Sequence, residues 1–226
     1  MQKVCSLSSD YPLPASICVY PNFASVVRDA RPSKDLHVTT VAGCFPTSQS
    51  FPEVKIREVE LAVAAGADEI DIVLDLGCFL GGDSEGAASQ IRAIRGVCKD
   101  GIILKVILET GLLKTPELIY KASMLAMEAG ADFIKTSTGK VDVNATPEAA
   151  RVMCTAIKDY YVRTGRKVGF KAAGGISTAQ DAVLYYNIVC EILGQEWTSP
   201  DLFRLGVSRL GNALMSEIEG REVKFF

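Results

Sequence analysis

Short apolar runs alternate with amphipathic stretches along this chain. After a first, shorter step the runs begin at intervals of about 31–35 residues. The runs are Ala15–Tyr20, Val38–Ala42, Glu69–Leu74, Ile102–Leu108, Phe133–Lys135, Val168–Lys171 and Leu202–Val207. An interval of that size holds one strand, one helix and two turns, which is what a crossover between parallel strands needs. The runs are nearly continuous in apolar residues rather than alternating, so they belong in a sheet covered on both faces. The intervening stretches carry helix-start signals: Pro52, Gly81-Gly82-Asp83-Ser84, Thr115-Pro116-Glu117, Thr146-Pro147-Glu148 and Ser177-Thr178. The triplet Gly66-Ala67-Asp68 returns as Gly130-Ala131-Asp132, each time just before a strand.

No glycine-rich dinucleotide fingerprint follows the first strand, which argues against a Rossmann domain. Polar residues gather instead at the carboxyl ends of the strands, where a closed (β/α) barrel builds its site. The expectation is one α/β domain over residues 1–226, a TIM (β/α)8-type barrel. Seven strands are read where such a barrel has eight. The first fourteen residues are too few for a strand plus its helix. Either Lys3–Leu7 makes a makeshift first strand, or that strand is missing and the barrel is open or completed by a neighbour.

Composition narrows the function. The 226 residues are 48% apolar and 23% charged, enough for a sizeable core. A net charge of −3 gives no reason to expect a nucleic-acid or membrane surface, so positive charge for an anionic ligand must be local. There is no signal-peptide pattern and no apolar run of membrane-spanning length, which reads as cytoplasmic. The seven cysteines are scattered and never at CxxC spacing, against a disulfide framework or zinc cluster. With His37 the only histidine, a metal-dependent lyase is disfavoured, and no cofactor is expected. His37, at a strand start, reads as structural.

Two lysines carry the chemistry. Lys135 ends an apolar strand and runs into Thr136-Ser137-Thr138-Gly139-Lys140, and Lys171 ends the next strand and runs into Ala172-Ala173-Gly174-Gly175. On adjacent barrel strands their amines share one space. A neighbouring cation and burial both disfavour the ammonium form, leaving the neutral amine that attacks a carbonyl. The competing reading pairs each lysine with a carboxylate, for which Asp71 is the obvious candidate. Asp71 lies mid-strand, opposite in facing to Ile70 and Ile72, and could instead relay protons during imine formation. Three loops suit a phosphate: Thr138-Gly139-Lys140, Gly174-Gly175 before a helix, and Gly206-Val207-Ser208 before the last helix.

GADEIDIV, LKVILETG, GADFIKTSTGKV, VNATPEAA and VGFKAAGGI together resemble the deoxyribose-phosphate aldolases, class I Schiff-base enzymes on a TIM barrel. The resemblance runs from about Ala15 to the C-terminal helix. It implies that Lys135 forms the Schiff base, that Lys171 tunes it and shuttles protons, and that Asp71 assists proton transfer. It implies phosphate binding at Gly139, Lys140, Gly174, Gly175 and Ser208. The implied reaction is reversible cleavage of 2-deoxy-D-ribose 5-phosphate to acetaldehyde and D-glyceraldehyde 3-phosphate, with a small phosphosugar as partner and a homodimer as the expected assembly. Two departures stand out. Arg209 occupies the place of a second serine, and the family's opening strand with its Asp-Leu-Thr motif is not found. A truncated chain, acting only as a phosphosugar-binding remnant, is the rival reading. A second rival is another lysine-dependent phosphosugar aldolase on the same barrel.

Overall fold

A computed structural model describes residues 11–99, 101–208 and 210–225. The chain divides into two compact units. The first comprises residues 11–106 with Glu128–Asp132, and the second Ile107–Met127 with residues 133–225.

In the first unit the strands are β1 (Ser16–Val19), β2 (His37–Val41), β3 (Glu69–Val73) and β4 (Ile103–Ile107, its last residue in the second unit), adjacent in that order. β1 pairs parallel with β2, and β2 parallel with β3. The crossovers carry α1 (Ala24–Ala30), α2 (Pro52–Ala64), α3 (Leu76–Leu80) and α4 (Ser84–Val97). Pro52 takes the first helical position of α2, where its missing N–H costs nothing. Asp75 caps α3 by accepting from Cys78 N, and Asp83 caps α4 by accepting from Gly86 N. The five-residue α3 shows no stripe in the sequence, being little longer than one helical turn.

The repeated Gly-Ala-Asp triplet has a mechanical meaning. Asp68 Oδ2 accepts from Val38 N at 2.9 Å and from Arg31 Nη1 at 2.5 Å. Asp132 Oδ2 accepts from Leu104 N at 2.9 Å and from Arg95 Nη1 at 2.6 Å. Each aspartate also donates its own N–H back, to Val38 O and Leu104 O respectively. One carboxylate thus ties the start of a strand to its neighbour and to an arginine 37 residues earlier, twice over.

The second unit holds β5 (Phe133–Lys135), β6 (Gly169–Ala173) and β7 (Phe203–Gly206), paired parallel. Its helices are α5 (Thr110–Leu113), α6 (Pro116–Glu128, its last residue in the first unit), α7 (Pro147–Thr164), α8 (Ala179–Leu193) and α9 (Leu210–Glu219). Thr146 caps α7 through Ala149 N, with Pro147 at its first position, and Gly165 closes it in the left-handed conformation. A capping box between Thr178 and Asp181 opens α8. Buried alanines and Met153, Ile157, Ile188 and Val189 form the inner faces of α7 and α8.

This is the parallel α/β fold of TIM-barrel type that the rhythm predicts, with the strand boundaries displaced by one or two residues. Lys3–Leu7 and Arg209 lie outside the described residues. Among the described residues, no helix is long and apolar enough to cross a membrane.

Candidate active site

The second unit brings Lys135 and Lys171 together. They are register partners at the ends of β5 and β6, so their side chains leave the same face about 4.8 Å apart at the backbone. Both are buried, at 6% and 4% exposure. The register continues into β7, where Arg204 stands opposite Lys171. The arginine head turns away from the lysines, however. Its guanidinium lies 5.7 Å from the ring centre of Phe133, two residues before Lys135, and its Nε donates to the carbonyl of Pro200, ahead of β7.

Lys171 leans the other way, toward the carboxyl ends of the strands. Its Cε lies 3.2 Å from where a β-carbon at position 206 would stand. Gly206 opposes Ala173, two residues beyond Lys171, and a β-carbon there would also meet the Ala173 methyl at 2.8 Å. The glycine of the FRLGV stretch is therefore the slot into which the lysine stem fits.

The loop after β5 is tightly organised. Thr136 Oγ1 accepts from Ala173 N at 2.9 Å and donates to Ala173 O at 3.2 Å. Thr138 donates to both oxygens of Glu109, from its N–H at 3.1 Å and its hydroxyl at 2.5 Å. Glu109 is buried in the left-handed conformation, a strained state for a residue with a β-carbon. The Ser137 hydroxyl, buried, has no hydrogen-bond partner. Gly139 has positive φ, and Lys140 is exposed with its N–H given to Thr138 Oγ1.

Among the loops expected to suit phosphate, Gly174 and Gly175 both have positive φ, and the Asn144 side chain packs so close to Gly174 that a β-carbon there would sit 2.7 Å from it. One part of the expectation changes. The N–H groups of Ser177 and Thr178, at the start of α8, both donate to Asp181 Oδ2. Those bonds hold the Asp181 carboxyl below its usual range, and they leave the helix start already occupied by an anion of the chain itself. Any anion at this loop would meet Gly174 and Gly175 rather than the helix start. Ser208 is exposed beyond β7.

Asp71 belongs to the first unit, fully buried on β3, and its Oδ1 accepts from Lys105 Nζ at 2.8 Å. Lys105 also lies 2.5 Å from Glu69 Oε2, so one buried ammonium bridges two buried carboxylates. Glu69 further accepts from Thr39 Oγ1 at 2.7 Å and lies 2.7 Å from His37 Nδ1. Asp71 thus has a lysine partner in Lys105, which the competing reading, framed on Lys135 and Lys171, does not name. Lys105 and Glu69 are the residues that sequence reasoning passes over. Their signal is a lysine inside the most apolar strand and a second carboxylate at i−2 from Asp71, on the same face.

Residues 9–187 match the DeoC/LacD family of aldolases. The human deoxyribose-phosphate aldolase is 45% identical over 207 residues, 91% of this chain and 64% of that protein. The chain spans just under two thirds of the length of the curated relatives it matches. A crystal structure from Toxoplasma gondii ME49 shares the fold, with a TM-score of 0.81 over 96% of this chain and 84% of that one at 24% identity. The tetrameric deoxyribose phosphate aldolase of Aeropyrum pernix aligns at 26% identity with a TM-score of 0.69, covering 89% of this chain and 76% of its own. A family match over most of the sequence, on a parallel α/β fold that sets two buried lysines in register, makes this chain a member of the DeoC/LacD aldolase family.

Proposed function

We propose that the chain reversibly cleaves 2-deoxy-D-ribose 5-phosphate to acetaldehyde and D-glyceraldehyde 3-phosphate through an imine on Lys135. The observation that carries this reading is the in-register, buried pair of Lys135 and Lys171. A second lysine beside a buried lysine favours the neutral amine, the form that attacks a carbonyl. In the synthetic direction the Lys135 amine adds to the acetaldehyde carbonyl. The carbinolamine loses water to an iminium. A proton leaves the methyl carbon and gives the enamine, whose carbon forms the new bond to the glyceraldehyde phosphate carbonyl. Water then hydrolyses the imine and frees Lys135. Lys171 is assigned the proton shuttle beside the imine nitrogen. Asp71 is assigned proton handling on the family resemblance. Gly139, Lys140, Gly174, Gly175 and Ser208 are assigned to the phosphate, through backbone N–H groups, the Lys140 ammonium and the Ser208 hydroxyl.

The chemistry as written uses no metal or organic cofactor. A homodimer and a cytoplasmic location belong to the same reading, the tetramer of the Aeropyrum pernix relative being its alternative assembly. The test is mass spectrometry after acetaldehyde and borohydride, with peptide mapping. One ethyl group on Lys135, absent from Lys135→Leu, supports the assignment. An unchanged adduct in Lys135→Leu refutes it. A folded protein that binds phosphosugar with no adduct favours a binding remnant.

A further inference from the structure

Glu109 combines two costs that one residue seldom carries together. Its carboxylate is buried, at 2% exposure, and its backbone sits in the left-handed region at φ 56° and ψ 59°. Such a state persists only where the surroundings fix it. Here the second unit does so. Leu108 N donates to Lys135 O at 2.9 Å and Thr110 N to Thr136 O at 3.0 Å, so a step of two residues on one segment answers a step of one on the other. Glu109 is the residue taken up in the longer step. Leu112 N closes the turn on Glu109 O at 2.9 Å.

What this turn secures is the loop after β5. Both Glu109 oxygens accept from Thr138, one from its N–H and one from its hydroxyl. Thr138 Oγ1 in turn accepts from Lys140 N at 3.1 Å. An otherwise exposed loop is thereby tied to a buried side chain. The tie also decides which donors remain. The N–H groups of Thr138 and Lys140 are committed within the protein, and the Gly139 N–H has no partner among the described residues. Gly139 and Lys140 are exposed, so that N–H and the Lys140 ammonium are what the loop can offer to an anion from outside.

We infer that Glu109 is a positioning residue for phosphate, holding the Thr138–Lys140 loop in the conformation that presents these two donors. The inference rests on the reading above that places phosphate at Gly139 and Lys140. Glu109 acts through Thr138, which occupies both its oxygens, and not by touching the ligand. An untied loop would have to be ordered by the phosphosugar itself, and the entropy lost in that ordering would appear as weaker binding.

The test compares the KM for 2-deoxy-D-ribose 5-phosphate with the rate of borohydride trapping of acetaldehyde, which carries no phosphate. Glu109→Gly tolerates the left-handed backbone and removes the tie. It should raise KM about 30-fold, the equivalent of about 2 kcal/mol, and change trapping by less than about twofold. Glu109→Gln keeps an acceptor for Thr138 N and gains a donor for Thr138 Oγ1, so KM should return to within about threefold of the parent. Lys140→Met should raise KM as Glu109→Gly does. If trapping falls in step with the rise in KM in Glu109→Gly, the residue only supports the fold, and the inference is overturned. An unchanged KM in Glu109→Gly beside a raised one in Lys140→Met also overturns it, and leaves the phosphate reading standing. An unchanged KM in both variants takes phosphate away from this loop and overturns reading and inference together. A second measurement needs no substrate. The Lys140 amide, bonded to Thr138 Oγ1, should exchange its hydrogen about tenfold faster in Glu109→Gly. An unchanged exchange rate overturns the tie itself.

Discussion

Two buried lysines, one in each unit, show what a neighbour does to the same side chain. Lys105, fully buried, has two carboxylates within 2.8 Å, and Lys135, nearly as buried, has another lysine as its register partner. Lys105 is ion-paired with two anions, whereas Lys135 has a side chain of its own charge type beside it in the sheet. Burial alone therefore does not single out the lysine proposed to react; its register partner is what sets Lys135 apart.

The largest effect that could break this contrast is at Lys135 itself. Lys135→Leu should abolish borohydride trapping of acetaldehyde while far-ultraviolet circular dichroism stays that of the parent. Lys105→Met should do the reverse in kind. It takes from Glu69 and Asp71 the buried cation they share and should lower stability by about 3–5 kcal/mol in denaturant titrations. Lys171→Met should slow imine formation by about 100-fold with a much smaller loss of stability. If Lys171→Met destabilises as much as Lys105→Met, the contrast between the two lysines collapses.

A finer test is Gly206→Ala, which puts a methyl against Ala173 and the Lys171 stem. It should cost about 1–3 kcal/mol and slow trapping about tenfold, whereas the same change at Gly175, which has open space, should leave the Lys171 stem in place. The smallest effect is at Asp181. Its carboxyl is held below its usual range by the N–H groups of Ser177 and Thr178, so its contribution is present above the unfolded-state pKa and fades as pH falls through the folded value. Asp181→Asn should therefore lower the melting temperature at neutral pH, and the difference from the parent should vanish in acid. A difference that persists undiminished in acid would remove the charge from that cap.

The alternation of strands and helices and the lysine pair were legible because they rest on local signals: apolar runs, Thr-Pro starts and a lysine at each of two strand ends. Asp71 was legible as a costly carboxylate in an apolar strand. The lysine that bridges it to Glu69 was not, because Lys105 meets those two carboxylates only once β3 and β4 lie side by side. Glu109 escaped for another reason. Its role comes from a left-handed backbone that turns the carboxylate onto Thr138, and a glutamate before Thr110-Gly111 carries no mark of that conformation. The short helices Leu76–Leu80 and Thr110–Leu113 are too brief to show a stripe.

At the foot of β5 the Phe133 ring occupies the space that any side chain at Gly169 would need, and beyond the last rung Thr136 clasps Ala173 from both sides. These two devices act as a notch and a latch on the same pair of strands. A slip of a single residue would unseat both at once and turn one of the two lysines to the opposite face of the sheet. The pairing of Lys135 with Lys171 is accordingly all-or-none. Mutations at the notch or the latch should divide molecules into assembled and unassembled populations, rather than produce a uniformly loosened site.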